Sequence, residues 1–229
     1  MEKYKTDNKK ALPEEIVQHI MRQIVDGMKY LYDKEIMHRH INLDNILINY
    51  EEENDKKNNN IMKAKIKIID FGFSKYLKHG DLTYTVLGSP INMSPILLRK
   101  LNSSKNHKKI GYDQREDIWS LGTICYELLV GKSAFDSEDM DELVHRVEHG
   151  DYHVPITLSK EAISFINCML QYEPSKRLSY DKLSSHKFLT KNIKEFTKIN
   201  LDELKNITVG VLINTKENGP IWDYFGDGN

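Results

Sequence analysis

Apolar residues recur at helical spacing near the start of the chain. From Pro13, the segment "PEEIVQHIMRQIVDGMKYLYDK" begins with a proline and two glutamates, a composition typical of the first turn of a helix. The residues that follow are apolar at every third or fourth position. The pattern predicts a long amphipathic helix whose apolar positions are Ile16, Ile20, Ile24, Met28 and Leu31.

Two short runs rich in β-branched residues come next, "NILIN" at 45 to 49 and "AKIKIID" at 64 to 70. They predict two small strands that form a β-hairpin. Between them, "YEEENDKKNNN" carries no apolar pattern. We therefore expect residues 50–61 to be a solvated insertion.

Helical patterns return after a polar stretch, punctuated by glycine and proline, from Gly72 to Pro95. Asp136 or Ser137 is a predicted N-cap, as is Ser159. Gly131 and Gly150 are predicted C-terminal stops. The predicted helices lie in "EDIWSLGTICYELLVG", "DSEDMDELVHRVEHG", "SKEAISFINCMLQ" and "SYDKLSSHKFL".

The pattern weakens from Thr190. In this tail, residues 190–229, "LDELKN" is a candidate short helix and "ITVGVLINTKENGPIW" a candidate hairpin. The chain as a whole is predicted to be mainly α, an α+β fold with one large helical domain over residues 1–189.

Composition narrows the functional classes. The 229 residues are 39% hydrophobic and 29% charged, enough for one sizeable core. Lys+Arg 33 against Asp+Glu 34 leaves a net charge of -1, so no basic field attracts nucleic acid or an anionic membrane. Apolar runs are too short to span a bilayer, and the charged N-terminus is unlike a signal peptide. We expect a cytoplasmic or cytoskeletal protein with no membrane insertion.

The two cysteines, Cys125 and Cys168, both lie in apolar helical segments. This setting favours buried free thiols in a reducing compartment over a disulfide. We expect no structural metal.

Several short motifs follow one another in a fixed order, each in a predicted helix or loop. They are "HRHINLDN" at 38 to 45, "DFG" at 70 to 72, "GSPINMSP" at 88 to 95, "DIWSLG" at 117 to 122, "RL" at 177 to 178 and "HKF" at 186 to 188. In this order the chain resembles the large, C-terminal lobe of a eukaryotic serine/threonine protein kinase over residues 1–189. The phrasing "DFGFSKYL", "LGSPINMSP" and "YDQREDIWSLGTICYELLVGKSAF" is most similar to the Unc-51-like kinases.

The resemblance implies a Mg-ATP site. Asp70 of the DFG, followed by Gly72, would hold the magnesium that bridges the β- and γ-phosphates, and Asn45 would hold a second ion. His38 and Arg39 match the structural start of the catalytic loop. Asp117 matches the helix aspartate that ties this loop down.

Two groups that the resemblance leads one to expect are replaced. His40 stands where the aspartate that accepts the substrate proton belongs, and Asn42 stands where a lysine balances phosphate charge. A neutral imidazole is a competent base near neutral pH, but the bulkier ring would need a reshaped site. We favour a structural role for His40 over a catalytic one. The His38–His40 pair also suggests zinc, yet no ligand cluster completes such a site.

The sequence at the end of the activation segment also departs from the family pattern. Ser94, Pro95 and Ile96 replace the Ala-Pro-Glu of the family, whose glutamate pairs with an arginine matching Arg177. Because an unpaired buried guanidinium is costly, we expect Arg177 to be exposed or paired elsewhere. The hydroxyls of Thr83, Tyr84 and Thr85 are candidate phosphorylation sites opposite Arg39, but we favour an ordinary polar loop.

The sequence contains no glycine-rich loop and no V-A-I-K lysine, so the small lobe is missing from it. Either the start is truncated, or the protein is a bare large lobe whose upper face binds a protein partner. In both cases we expect Mg-ATP binding to be weak or absent.

Two functional hypotheses follow. The preferred one is a pseudokinase that acts as an interaction or scaffold component of a larger cytosolic assembly; family analogy alone adds a ciliary or microtubule role. The alternative is an ATP-dependent serine/threonine protein kinase whose small lobe is missing from the sequence.

Overall fold

A computed structural model describes residues 11–58, 60–102, 111–155 and 157–192. This part of the chain is rich in helix, with two small antiparallel sheets. The helices are α1 Glu14–Asp33, α2 Glu53–Lys57, α3 Pro95–Asn102, α4 Arg115–Val130, α5 Met140–His149, α6 Lys160–Met169, α7 Tyr180–Ser184 and α8 Lys187–Thr190. The strands are β1 Ile36–Met37, β2 Ile46–Asn49, β3 Lys65–Ile68 and β4 Lys75–Tyr76.

Helix α1 confirms the first prediction, with Pro13 as its N-cap rather than its first residue. The predicted positions Ile20, Ile24 and Met28 are buried in the core. At the N-terminal end, the carboxylate of Glu14 accepts hydrogen bonds from the backbone N–H and the hydroxyl of Ser159. This contact fixes the start of α1 against the start of α6.

Strands β2 and β3 confirm the predicted hairpin, with Ile46 opposite Ile68 and Asn49 opposite Lys65. The connecting segment is more ordered than predicted, because it contains α2 and a 3-10 helix at Ile61–Lys63. Asp55 in α2 is buried and accepts a 3.2 Å hydrogen bond from Asn60. Most described residues of this segment are exposed, and the buried ones are Asp55 and Ile61.

The core lies around α4, which packs against α1 and α6. Trp119 is fully buried and stacks on Phe135, with ring centroids 5.7 Å apart. Gly122 allows α6 to approach closely, since a Cβ at this position would lie 2.7 Å from Cδ2 of Leu170. Helix α4 is thus the central buried helix of the described residues.

Helix ends agree with the sequence in part. Ser159 caps α6 through the N–H of Ala162, and Gly131 and Gly150 end α4 and α5 in left-handed conformations, as predicted. The cap of α5 is Asp139, not Asp136 or Ser137, because Asp139 accepts the N–H of Glu142.

Three further elements differ from the prediction. Helix α3 was not predicted, nor was the β1–β4 pair, in which Ile36 faces Tyr76. The single helix predicted over "SYDKLSSHKFL" is divided into α7 and α8 by His186, whose Nδ1 accepts the N–H of Phe188. A histidine cap starts a new helix at that point.

Cys125 and Cys168 are free thiols, as predicted, and burial raises the pKa of each. None of the helices in the described ranges is long and apolar enough to cross a membrane. The helix and hairpin predicted for the tail fall at residues 193–229, outside the described residues.

Candidate functional site

Asp117 anchors the loop that carries most of the predicted site residues. It lies in the buried first turn of α4, and its carboxylate accepts the backbone N–H groups of His38 at 2.8 Å and Arg39 at 2.9 Å. Burial raises the pKa of Asp117 to about 6, an effect that the two N–H donors oppose. Arg39 takes a left-handed conformation, with φ 67°, which turns the loop sharply at this anchor.

His38 joins this loop to the segment before Asp70. Its Nε2 lies 3.1 Å from the carbonyl oxygen of Ile69, and its Nδ1 accepts the backbone N–H of His40 at 3.3 Å. These partners require a neutral ring with its proton on Nε2. Burial lowers the pKa of His38, which favours the same neutral form.

His40, Asp70 and Asn45 form one contact cluster. His40 Nδ1 lies 3.1 Å from Asp70 Oδ2 and 3.3 Å from Asn45 Nδ2. Asn45 Nδ2 also donates to the His40 carbonyl at 2.8 Å and lies 3.5 Å from Asp70 Oδ2. The hydrogen bond from His40, with that from the backbone N–H of Gly72, holds the pKa of Asp70 below its usual value. Asp70 is itself left-handed, with φ 64°.

Asn42 has a local structural role. Its Oδ1 accepts the backbone N–H of Asn45 at 3.1 Å and caps the 3-10 helix Leu43–Asn45. The position at which a lysine was expected therefore carries a helix cap instead of a positive charge.

Residues 83–85 are only partly accessible. Thr83 is fully buried, pairs with Tyr112 in an isolated β-bridge and accepts a 3.0 Å hydrogen bond from Lys75. Tyr84 and Thr85, in contrast, are exposed. The Arg39 guanidinium donates from Nε to the carbonyl oxygen of Phe73 at 2.5 Å. Thr83 is thus unavailable for modification in this conformation.

Arg177 is buried and has a new partner. Its Nη1 lies 2.9 Å from Glu116 Oε1 and 2.9 Å from the carbonyl oxygen of Arg115, and its Nε donates to the carbonyl oxygen of Gln171. Of the two expected outcomes, exposure or pairing elsewhere, the second is found. Glu116 stands directly before Asp117, and sequence reasoning missed it because the pair spans 61 residues.

A cavity of about 610 Å³ opens beside the cluster. His40, Asn42 and Asn45 contribute to its lining, and most of the other lining residues are aliphatic. Two acidic residues, Asp44 and Glu127, also line it. The cavity is large enough for a small molecule or a peptide side chain.

The cluster does not fit magnesium as it stands. Magnesium is held by oxygen ligands, usually one or two carboxylates together with substrate phosphates. Here His40 donates to Asp70 Oδ2, and Asn45 turns its N–H groups, not its oxygen, toward the same atom. No group of three histidine, cysteine, aspartate or glutamate side chains among the described residues is placed to hold a metal ion.

Comparisons with known proteins agree with the motif order. Residues 1–189 match the family described as Protein kinase domain. The chain is 32% identical to serine/threonine-protein kinase atg1 of Dictyostelium discoideum over 183 residues, 80% of this chain and 25% of the relative. It is 32% identical to serine/threonine-protein kinase ULK3 of Xenopus laevis, covering 79% of this chain and 35% of the relative. Serine/threonine-protein kinase PLK4 of Drosophila virilis is also 32% identical, with 80% and 21% covered. The chain thus spans about a fifth to a third of the length of these curated relatives.

Proposed function

This chain belongs to the protein kinase domain family, and from that membership we propose that it is a catalytically impaired member acting as an interaction or scaffold component. The observation that carries the proposal is the contact of His40 with Asp70 and Asn45. In family members, the residue at the position of His40 is the aspartate that accepts the proton of the substrate hydroxyl.

Phosphoryl transfer depends mainly on positioning and on neutralising charge. A base must therefore face the substrate hydroxyl while the DFG aspartate faces the metal and phosphates. In this chain, Nδ1 of the His40 ring contacts the Asp70 carboxylate, and the ring packs edge-on against Phe73 with centroids 5.1 Å apart. A ring held in this way supports a structural role for His40.

Asn42 supports the same proposal. A lysine at this position would bring a positive charge to the transferred phosphate, whereas Asn42 is neutral and its oxygen caps the 3-10 helix Leu43–Asn45. The charge that helps to stabilise the transition state is absent from this position, and the side chain is used to hold the loop.

The end of the activation segment is rebuilt around apolar contacts. Ile96 packs against the hydrophobic core, and Arg177 takes its carboxylate partner from α4 through Glu116. The segment that would present a peptide substrate thus forms no ion pair with Arg177 through residue 96. This arrangement favours a surface used for binding over one used for turnover.

The binding role in this proposal is that of a cytoplasmic protein with a protein partner, and family analogy extends it to cytoskeletal or ciliary assemblies. Phe71 and Phe73, which follow Asp70 in the chain, are exposed by 47% and 40% and offer apolar contact area. Large aromatic side chains of this kind are enriched at protein interfaces.

A second candidate function is an ATP-dependent serine/threonine kinase, which the retained Asp70 and Asn45 favour. In that case His40, oriented by Asp70 through Nδ1, would present Nε2 to the substrate hydroxyl as a base. This reading requires a rise in melting temperature on addition of Mg-ATP, and the absence of any rise would exclude it.

The proposed function is tested by transfer of radiolabelled phosphate from Mg-ATP to a generic protein substrate, using the purified full chain. We expect no incorporation above that of the Asp70→Ala variant. Incorporation by the wild-type chain that Asp70→Ala abolishes would refute the proposal. A folded state shown by circular dichroism is required of both proteins.

A further inference from the structure

We propose that His40 closes the position between Asp70 and Asn45 that a divalent cation would occupy, so that the chain does not hold Mg²⁺ at these residues. This inference deepens the proposed function and rests on it, because the family membership indicates where the cation would bind. Its test is metal binding and not phosphate transfer, so the two can fail separately.

The carboxylate of Asp70 is already engaged by donors. Oδ2 lies 3.1 Å from His40 Nδ1, and the backbone N–H of Gly72 also donates to this carboxylate. An ionised carboxylate only accepts hydrogen bonds, so the proton of the contact with His40 belongs on Nδ1. A cation at Oδ2 would face that proton, and imidazole nitrogen is in any case a poor ligand for magnesium.

The amide of Asn45 is turned the wrong way for a cation. Its Nδ2 donates to the backbone carbonyl of His40 at 2.8 Å, which assigns the nitrogen to this side of the amide. The same nitrogen lies 3.5 Å from Asp70 Oδ2. The amide oxygen, the only atom of this group that could bind magnesium, therefore points away from the carboxylate.

Two further contacts hold the imidazole of His40 in place. The ring meets Phe73 edge-on at an interplanar angle of 84°, and the backbone N–H of the same residue donates to His38 Nδ1 at 3.3 Å. His38 is buried and bonded to Ile69. A cation would have to displace a supported side chain and also turn the amide of Asn45.

The test uses Mn²⁺ as the probe, because its free concentration is measured directly by electron paramagnetic resonance. The full chain is titrated at neutral pH as wild type, His40→Ala and His40→Asp, each with and without Asp70→Ala. His153→Ala, which removes an exposed histidine of the segment after α5, serves as the matched control. Competition with Mg²⁺ then shows whether the same site takes the hard cation.

In the wild type and in His153→Ala, we expect no saturable Mn²⁺ site that is lost when Asp70→Ala is added. His40→Ala and His40→Asp should each gain such a site and bind Mn²⁺ at least about tenfold more tightly than the residual binding of the wild type, a change of about 1.4 kcal/mol. A wild-type site that is sensitive to Asp70→Ala and as tight as that of His40→Ala would overturn the proposal. A folded His40→Ala chain that gains no site would also overturn it, since another group would then exclude the cation.

Discussion

The ion pair between Arg177 and Glu116 gives the sharpest stability prediction. The Arg177 side chain is fully buried and that of Glu116 is 3% exposed. We consider Glu116→Gln, which keeps the shape of the side chain and removes its charge. The guanidinium would then be buried with backbone carbonyls as partners but without a counter-charge.

The magnitude follows from what remains around Arg177. Removing one partner of a buried pair costs about 3 to 5 kcal/mol. The carbonyl oxygens of Arg115 and Gln171 still accept hydrogen bonds, and Glu116 Oε2 has no hydrogen-bond partner among the described residues. These two features place the expected loss at the lower end, about 3 kcal/mol of the free energy of unfolding.

Urea unfolding followed by tryptophan fluorescence measures this loss. The control is Glu148→Gln, which breaks the more exposed pair with Arg99 and should cost under about 1 kcal/mol. The double variant Glu116→Gln with Arg177→Gln removes both charges and should recover at least half of the loss. A cost of Glu116→Gln no larger than that of the control would refute this account of Arg177.

Three other predictions concern the cap residues and the close approach of α4 to α6. Burial lowers the pKa of His186 to about 4, so the neutral ring that caps α8 stabilises the fold fully above about pH 6.5, and this stability is lost as the pH falls toward 4. The loss is about 1 to 2 kcal/mol for a partly exposed ring. In urea unfolding at several pH values, the free energy of unfolding of the wild type should therefore fall by this amount relative to that of His186→Asn as the pH is lowered; a difference between the two proteins that does not change with pH would contradict this prediction. Asn42→Ala should cost about 1 kcal/mol in the same assay and Asn42→Asp much less, since aspartate also caps; equal losses would contradict the cap. Gly122→Ala should lower the melting temperature through a net loss of about 1 to 2 kcal/mol, because its Cβ would contact Leu170, and an unchanged or higher melting temperature would count against this packing.

The elements that the sequence predicts well are long and periodic. Helices α1, α4 and α6 each bury a regular set of apolar positions, so local pattern and tertiary packing favour the same structure. Strands β1 and β4 have two residues each and carry no readable period. Their pairing depends on how the chain returns after Asp70, and the local sequence pattern does not predict this return.

The candidate site divides in the same way. Motif order identifies His40, Asp70 and Asn45 as members of one site, since their spacing along the chain matches the family. Their mutual hydrogen bonds depend on how two separate loops meet, and that meeting is set by Asp117 and His38. The sequence could not reveal that His40 and Asn45 would face Asp70 as hydrogen-bond donors.

Arg177 shows how a correct physical rule can leave its partner unnamed. The replacement of glutamate by Ile96 indicates that the arginine needs another solution, and the cost of an unpaired buried charge limits the choices. Glu116 becomes that partner because α4 places it beside the buried guanidinium. Its position one residue before Asp117, at the start of a buried helix, was the available signal in the sequence.

The central claim, that this kinase-family chain does not transfer phosphate, is tested most directly by the ratio of label incorporated by the wild-type full chain to that incorporated by Asp70→Ala. The account predicts a ratio near one with Mg-ATP, because His40 stands in place of the aspartate base expected from the family and Asn42 in place of the lysine. A ratio of about ten or more would contradict it, since that corresponds to a barrier lowered by about 1.4 kcal/mol through Asp70.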